Sequence, residues 1–187
     1  MNPKYFGDSY DIVKQSLLRW LSPTGAWVTH PMFTERFSPE ESDDFARLIG
    51  TPLLSLDVLT TETDRAKYFA PARNCRENVF LDPDKGIRLK PMRGEASPLY
   101  IFAGELLEIA GTSQEKLVLV FDKALARGSE PEELHAKMRT FEDHGIHAVA
   151  YTSHACFVLL GRNDALVNSA FEVLMNESHL PRSRFLA

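Results

Sequence analysis

Two apolar runs in this chain stop abruptly on aspartate: Val79-Phe80-Leu81 before Asp82, and Leu117-Val118-Leu119-Val120-Phe121 before Asp122. A run with no polar alternation cannot lie half in water. Both therefore read as strands covered on two faces, the condition of parallel sheets flanked by helices. Parallel neighbours need long crossovers, and the segments between these runs carry helical spacing and caps. Open α/β sheets place ligands at the carboxyl ends of their strands, so Asp82 and Asp122 become candidate site residues once the strands are drawn.

The remaining segments supply the other elements. Ile12, Val13, Leu17, Leu18 and Leu21 fall near helical spacing, which predicts a helix over 10–21 with Asp8 or Ser9 as cap and Ser22-Pro23-Thr24-Gly25 as its end. Residues 26–33 read as a strand weakened by Pro31. Ser38-Pro39-Glu40-Glu41 opens a helix that Gly50 stops. Residues 52–59 (PLLSLDVL) read as a short strand, and Thr61–Asp64 opens a helix through Arg65–Ala70. After the strand 78–82, Ser97-Pro98 leads into a helix with Leu106, Leu107 and Ile109, closed at Gly111. Lys116–Phe121 is a buried strand, and Ser129-Glu130-Pro131 starts a helix ending near His144-Gly145. Residues 147–160 form either two strands about Thr152-Ser153-His154 or one long bent strand, and a last helix spans 163–177. The expected fold is α/β: one domain over 1–187, a three-layer, Rossmann-like, mostly parallel sheet with helices on both faces and an antiparallel C-terminal edge.

At 187 residues and 44% hydrophobic the chain can bury a sizeable core. A net charge of -5 argues against nonspecific coating of nucleic acid and leaves a local basic patch open. Cys75 and Cys156 match no metal-binding spacing, the first residues lack the layout of a signal peptide, and no apolar run is long enough to span a membrane. The expectation is a reduced, cytoplasmic protein with no membrane partner. A homo-oligomer or a protein partner is compatible with this composition.

Carboxylates dominate the candidate chemistry. Asp82 and Asp84 bracket Pro83 at a strand end, where two acids can hold Mg²⁺ or Mn²⁺, although Asp84-Lys85-Gly86 also reads simply as a turn. If strands 78–82 and 117–121 are neighbours, Asp122 shares a rim with Asp82; otherwise it reads as a cap. Asp8, Asp11 and Lys14 form Gly-Asp-x-x-Asp-x-x-Lys, either a helix cap with a surface ion pair or acids on a metal with the lysine on an anion. The expected metal set is thus Asp8, Asp11, Asp82, Asp84 and Asp122. Asp82, Asp122, Lys14, Arg127 and His154 make up the catalytic set, with Lys14 or Arg127 stabilising a charged transition state. His154 earns its place by lying beside Ser153 at a strand break, whereas His30, in Val-Thr-His-Pro-Met-Phe, reads as structural. Arg65 is a further residue able to grip a phosphate or carboxylate. A Ser153–His154 triad is disfavoured, because adjacent strand residues face opposite ways and no G-x-S-x-G turn is present. The phosphate loop GxxxxGK[ST], GxGxxG, CxxC and HExxH are also absent from the sequence.

Gly7-Asp8-Ser9-Tyr10-Asp11-Ile12-Val13-Lys14 and Phe80-Leu81-Asp82-Pro83-Asp84-Lys85-Gly86-Ile87 resemble a group of uncharacterised prokaryotic proteins that read G-D-x-x-D-x-x-K near the start and F-x-D-P-D-x-G-I in the middle. The likeness extends over most of the chain, including the later Val-Phe-Asp and Ser-His-Ala-Cys-Phe segments. More remotely, the chain resembles Rossmann-type ribosomal-RNA adenine methyltransferases, which carry an early D-x-x-K and a D-P-P-Y motif ending a central strand. That resemblance implies S-adenosylmethionine as cofactor, Lys14 near the methyl donor, and Asp82 accepting from the target amine. The sequence departs from it twice: no glycine-rich turn is present, and Asp84-Lys85 replaces Pro-Tyr. Three functions are therefore in view. They are a metal-dependent phosphodiesterase or nuclease acting on nucleic acid or a nucleotide, a methyltransferase-like protein, and a noncatalytic binding module.

Overall fold

The computed structural model describes residues 1–125 and 130–187, and shows an α/β fold. Helix α1 (Ser9–Leu21) is capped by Asp8, whose carboxylate accepts the N–H groups of Tyr10 and Asp11. Strand β1 (Trp27–His30) follows, then α2 (Pro39–Ile49), which opens with a reciprocal Ser38–Glu41 capping box and closes on Gly50 in the left-handed conformation, φ 79°. Two short helices, α3 (Arg65–Tyr68) and α4 (Ala70–Asn74), precede β2 (Asn78–Leu81). Next come β3 (Gly86–Arg88), β4 (Tyr100–Phe102), α5 (Ala103–Ala110) and β5 (Leu117–Asp122). The chain continues through α6 (Glu130–Glu142), β6 (His147–Thr152), β7 (Cys156–Gly161), α7 (Asp164–Ser178) and β8 (Phe185–Leu186).

The main sheet has the order β1-β2-β5-β7-β6-β8. Strands β1, β2 and β5 are parallel, while β7 runs against both β5 and β6, and β8 against β6. Among the described residues, four of its six strands thus run one way, and the antiparallel pairings lie on the C-terminal side, as expected. The region 147–160 resolves into a hairpin of two strands.

Side-chain alternation sorts the strands onto two cores. Val79, Leu81, Val118 and Val120 pack with Leu106 and Ile109 of α5 and Leu134, Met138 and Phe141 of α6. Phe80, Leu119, Phe121 and Phe157 pack with Leu17 and Leu21 of α1, Phe45 of α2 and Phe171 of α7. Three layers result, with α1, α2 and α7 on one face and α5 and α6 on the other. Among the described residues no helix is long and apolar enough to cross a membrane.

Three local expectations change. Residues 52–59 do not form a strand: they touch β1 through one bridge, Thr29 to Leu53, and Leu56 is 59% exposed. There Ser55 and Asp57 hydrogen-bond each other locally, so the backbone turns instead of pairing. The Thr61–Ala70 helix is two short pieces, the first capped by Asp64. The segment after Asp84 is not merely a turn, because β3 pairs in parallel with β4 in a separate two-stranded ribbon. The proposed start of α6 at Ser129 lies outside the described residues.

His30 is fully buried against Tyr68 and Phe69; Nε2 lies 3.2 Å from the Tyr68 carbonyl and Nδ1 has no partner. Burial pushes its pKa down to about 4. The native state then binds fewer protons than the unfolded chain, whose histidine titrates near 6.5. His30's contribution is complete above pH ~6.5 and is lost as pH falls toward ~4, on the order of 3 kcal/mol in all. His30→Gln should flatten this part of the pH–stability curve in urea unfolding at pH 7, 6 and 5. An unchanged slope would show that His30 does not titrate in this way.

Candidate functional site

The chain brings its acidic motifs together at the carboxyl end of the parallel strands, and then separates them. Asp82 follows β2, anchored by its own N–H to the His30 carbonyl at 3.2 Å. Leu81 is paired in register with Val120, so Asp82 takes the face of Phe121 and Asp122 takes the opposite one. One residue of register separates the two aspartates by the thickness of the sheet. The expected shared rim is therefore not a shared site.

On the first face, Lys14 reaches from the inner side of α1 and places Nζ 2.8 Å from Asp11 Oδ1 and 2.9 Å from Asp82 Oδ2. The Lys14 and Asp82 side chains are 4% and 1% exposed. Burial alone would lower the Lys14 pKa, but the flanking Asp82 and Asp11 carboxylates override it and hold the ammonium above its ordinary value. Asp82 is raised by burial, with Lys14 opposing. Asp11 Oδ2 is also used, accepting the Gly7 N–H at 2.9 Å. Among the described residues Asp82 Oδ1 accepts no hydrogen bond, although it belongs to a buried side chain lining the cleft.

That cleft has a volume of about 30 Å³, room for one water-sized group. Tyr10, Phe121, Pro83, Asp8, Asp84 and Lys123 line it with Lys14 and Asp82. Tyr10 is its aromatic wall, with ring centroids 5.6 Å from Phe121 and 4.8 Å from the exposed His154. Lys123 Nζ lies 4.8 Å over the Tyr10 ring, and Lys14 Nζ is 4.8 Å from the Phe121 centroid. His154 is thus a rim residue. Its neighbour Ser153 closes the β6–β7 turn on the Ala155 carbonyl.

On the second face, Asp122 is the centre of a structural clip. Oδ2 accepts Lys137 Nζ of α6 at 2.7 Å, and Oδ1 accepts the N–H groups of Ile87 and Ala124 at 3.1 and 3.0 Å. Gly86 lies directly against it: at φ 122°, a Cβ there would come within 2.2 Å of Asp122 Oδ1. Arg65 is also structurally committed, forking onto Glu105 through Nε at 2.5 Å and Nη2 at 2.8 Å. Arg127 lies outside the described residues.

The expected five-acid metal set is therefore divided. Asp8 caps α1, Asp122 faces away, and the space between Asp11 and Asp82 holds the Lys14 ammonium. Among the described residues no three His, Cys, Asp or Glu groups are placed to hold a metal ion. These residues do not fit a cation shared by Asp11, Asp82 and Asp122. S-Adenosylmethionine fits no better at the turn after β1, which is filled by the fully buried Met32 and Phe33, with Met32 at φ 49°.

No family model, curated protein or solved structure matches the chain. The site has to be read from its own chemistry.

Sequence reasoning found Asp11, Lys14 and Asp82 but missed Tyr10, Phe121 and Lys137. Lys14 occupies one corner of the apolar stripe Leu17, Leu18, Leu21, and Lys137 does the same among Leu134, Met138 and Phe141. A lysine at a core position of an amphipathic helix signals a buried partner.

Lys14→Met leaves two buried carboxylates without their cation and should cost about 3–5 kcal/mol at pH 7. The cost should shrink on acidification, because Asp82, already raised, then takes up a proton. Urea unfolding at pH 7 and pH 5 measures both effects, and a loss below about 1 kcal/mol at pH 7 would contradict the buried pairing.

Proposed function

We propose that this chain binds a nucleotide, or an exposed base of a nucleic acid, over the mouth of the cleft at the carboxyl ends of β2 and β5, with the amino group of the base entering the cleft. The carrying observation is Asp82: one oxygen is fixed by Lys14, while the other has no hydrogen-bond donor among the described residues and meets a cleft lined by Tyr10 and Phe121. An acceptor that faces the cleft without a protein donor selects a ligand that brings an N–H. A planar ring with an exocyclic amine satisfies both features, stacking on Tyr10 while donating to Asp82.

Lys14 keeps Asp82 oriented and ionised, and Asp11 holds Lys14 from the other side. Lys123 and Lys14 supply positive charge beside the ring. A carboxylate so placed can also accept a proton from the bound group, which makes general-base chemistry the enzymatic extension of this reading. The metal-dependent phosphodiesterase reading draws on the same acids but would need Lys14 displaced.

Thermal unfolding tests the proposal. Adenine- and cytosine-bearing nucleotides at 100 times their Kd should raise Tm by roughly 5–10 °C. Asp82→Asn should remove most of that rise. Stabilisation by Mg²⁺ or Mn²⁺ alone, lost in Asp82→Asn, would replace this reading with the metal-dependent one. Stabilisation by S-adenosylmethionine alone would favour the methyltransferase-like one.

A further inference from the structure

Directly after Asp84 the chain reads Lys85-Gly-Ile-Arg88-Leu-Lys90-Pro-Met-Arg93, four basic residues in nine with no acid, in a protein of net charge -5. All four are exposed. The segment is held in place at its start. Lys85 N–H donates to the Leu99 carbonyl at 2.8 Å, Lys123 N–H donates to the Lys85 carbonyl at 3.0 Å, and Gly86–Arg88 pairs with β4. The Ile87 N–H is fixed on Asp122, itself locked by Lys137. Arg88 lies over the Tyr100 ring at 5.2 Å.

The same contacts join this arm to the cleft. Lys123 lines the cleft with its side chain and holds Lys85 with its backbone. Lys123 thus links the Tyr10 wall to Lys85, from which the exposed cations Arg88, Lys90 and Arg93 follow along the chain, before Glu95 restores acidic character.

We infer that residues 85–93 carry the sugar-phosphate backbone of a single-stranded nucleic acid, one base of which presents its amino group to the cleft. This rests on the base-binding reading and narrows its ligand from a free nucleotide to a polymer. Serial phosphates match serial cations, whereas a mononucleotide would leave Lys90 and Arg93 without a partner. A single strand is specified because a base stacked inside a duplex cannot reach a carboxylate buried beside Pro83. Asp122 and Lys137 then act as positioning residues, setting the arm and touching no ligand.

Fluorescence anisotropy with labelled 12-nucleotide RNA and DNA, alongside the corresponding mononucleotides, tests the inference on the full chain. The wild type should bind one of the single strands at least tenfold more tightly than the mononucleotide. R88Q/K90Q/R93Q should lose at least tenfold for the strand and none for the mononucleotide. The slope of log K against log salt should become shallower by about 2, as expected for three lost contacts to a single strand. Full strand affinity and slope in the variant would overturn the inference. So would equal binding of duplex, or equal arm-dependent binding of phosphatidylserine vesicles. Failure of the wild type to bind either strand also overturns it, and the mononucleotide data then judge the cleft separately. Arm-dependent strand binding that survives Y10A and D82N would instead keep the arm and remove the base-binding cleft.

Discussion

Two lysines buried in the outer layers determine how this molecule is arranged at the carboxyl ends of its parallel strands. Lys14 and Lys137 come from helices on opposite faces of the sheet, and each neutralises an aspartate that ends a parallel strand. Either aspartate alone would be an uncompensated charge in a core, and either lysine alone likewise. Because the partners lie in different layers, each pair fixes a helix against a strand end. The pairs differ in what remains. Asp122 spends both oxygens within the protein, whereas among the described residues one oxygen of Asp82 accepts no hydrogen bond and faces the cleft. This difference separates scaffold from site more clearly than position in the sequence does.

The layered fold was readable because its signals were local. Capping at Asp8, the Ser38–Glu41 box and the unbroken Leu117–Phe121 run each specify structure within a few residues. The small ribbon was not readable. Tyr100–Phe102 continues the apolar spacing of the helix that follows it, and only contact with Gly86–Arg88 makes it a strand. Residues 52–59 failed for the opposite reason: the sequence is apolar enough for a strand, but Ser55 and Asp57 bend it locally.

The site was readable in part for the same reason. Asp11, Lys14 and Asp82 were visible as motifs, and their meeting required only that α1 lie over β2. Whether Asp82 and Asp122 met depended on a one-residue register between neighbouring strands, which no local pattern encodes. The basic run 85–93 was in plain sight. Its link to the cleft came from Lys123, which follows β5 and holds the Lys85 carbonyl.

The sheet's two margins have a consequence for self-association. On β1 the Thr29 N–H and carbonyl are already satisfied by Pro52 and Leu54, and at the other end β8 is only two residues long. Thr29 on one margin, and Ala150 and Tyr151 of β6 on the other, thus present no free backbone edge. The row of backbone groups open to an incoming strand is shortened at both margins, which works against sheet-to-sheet polymerisation there.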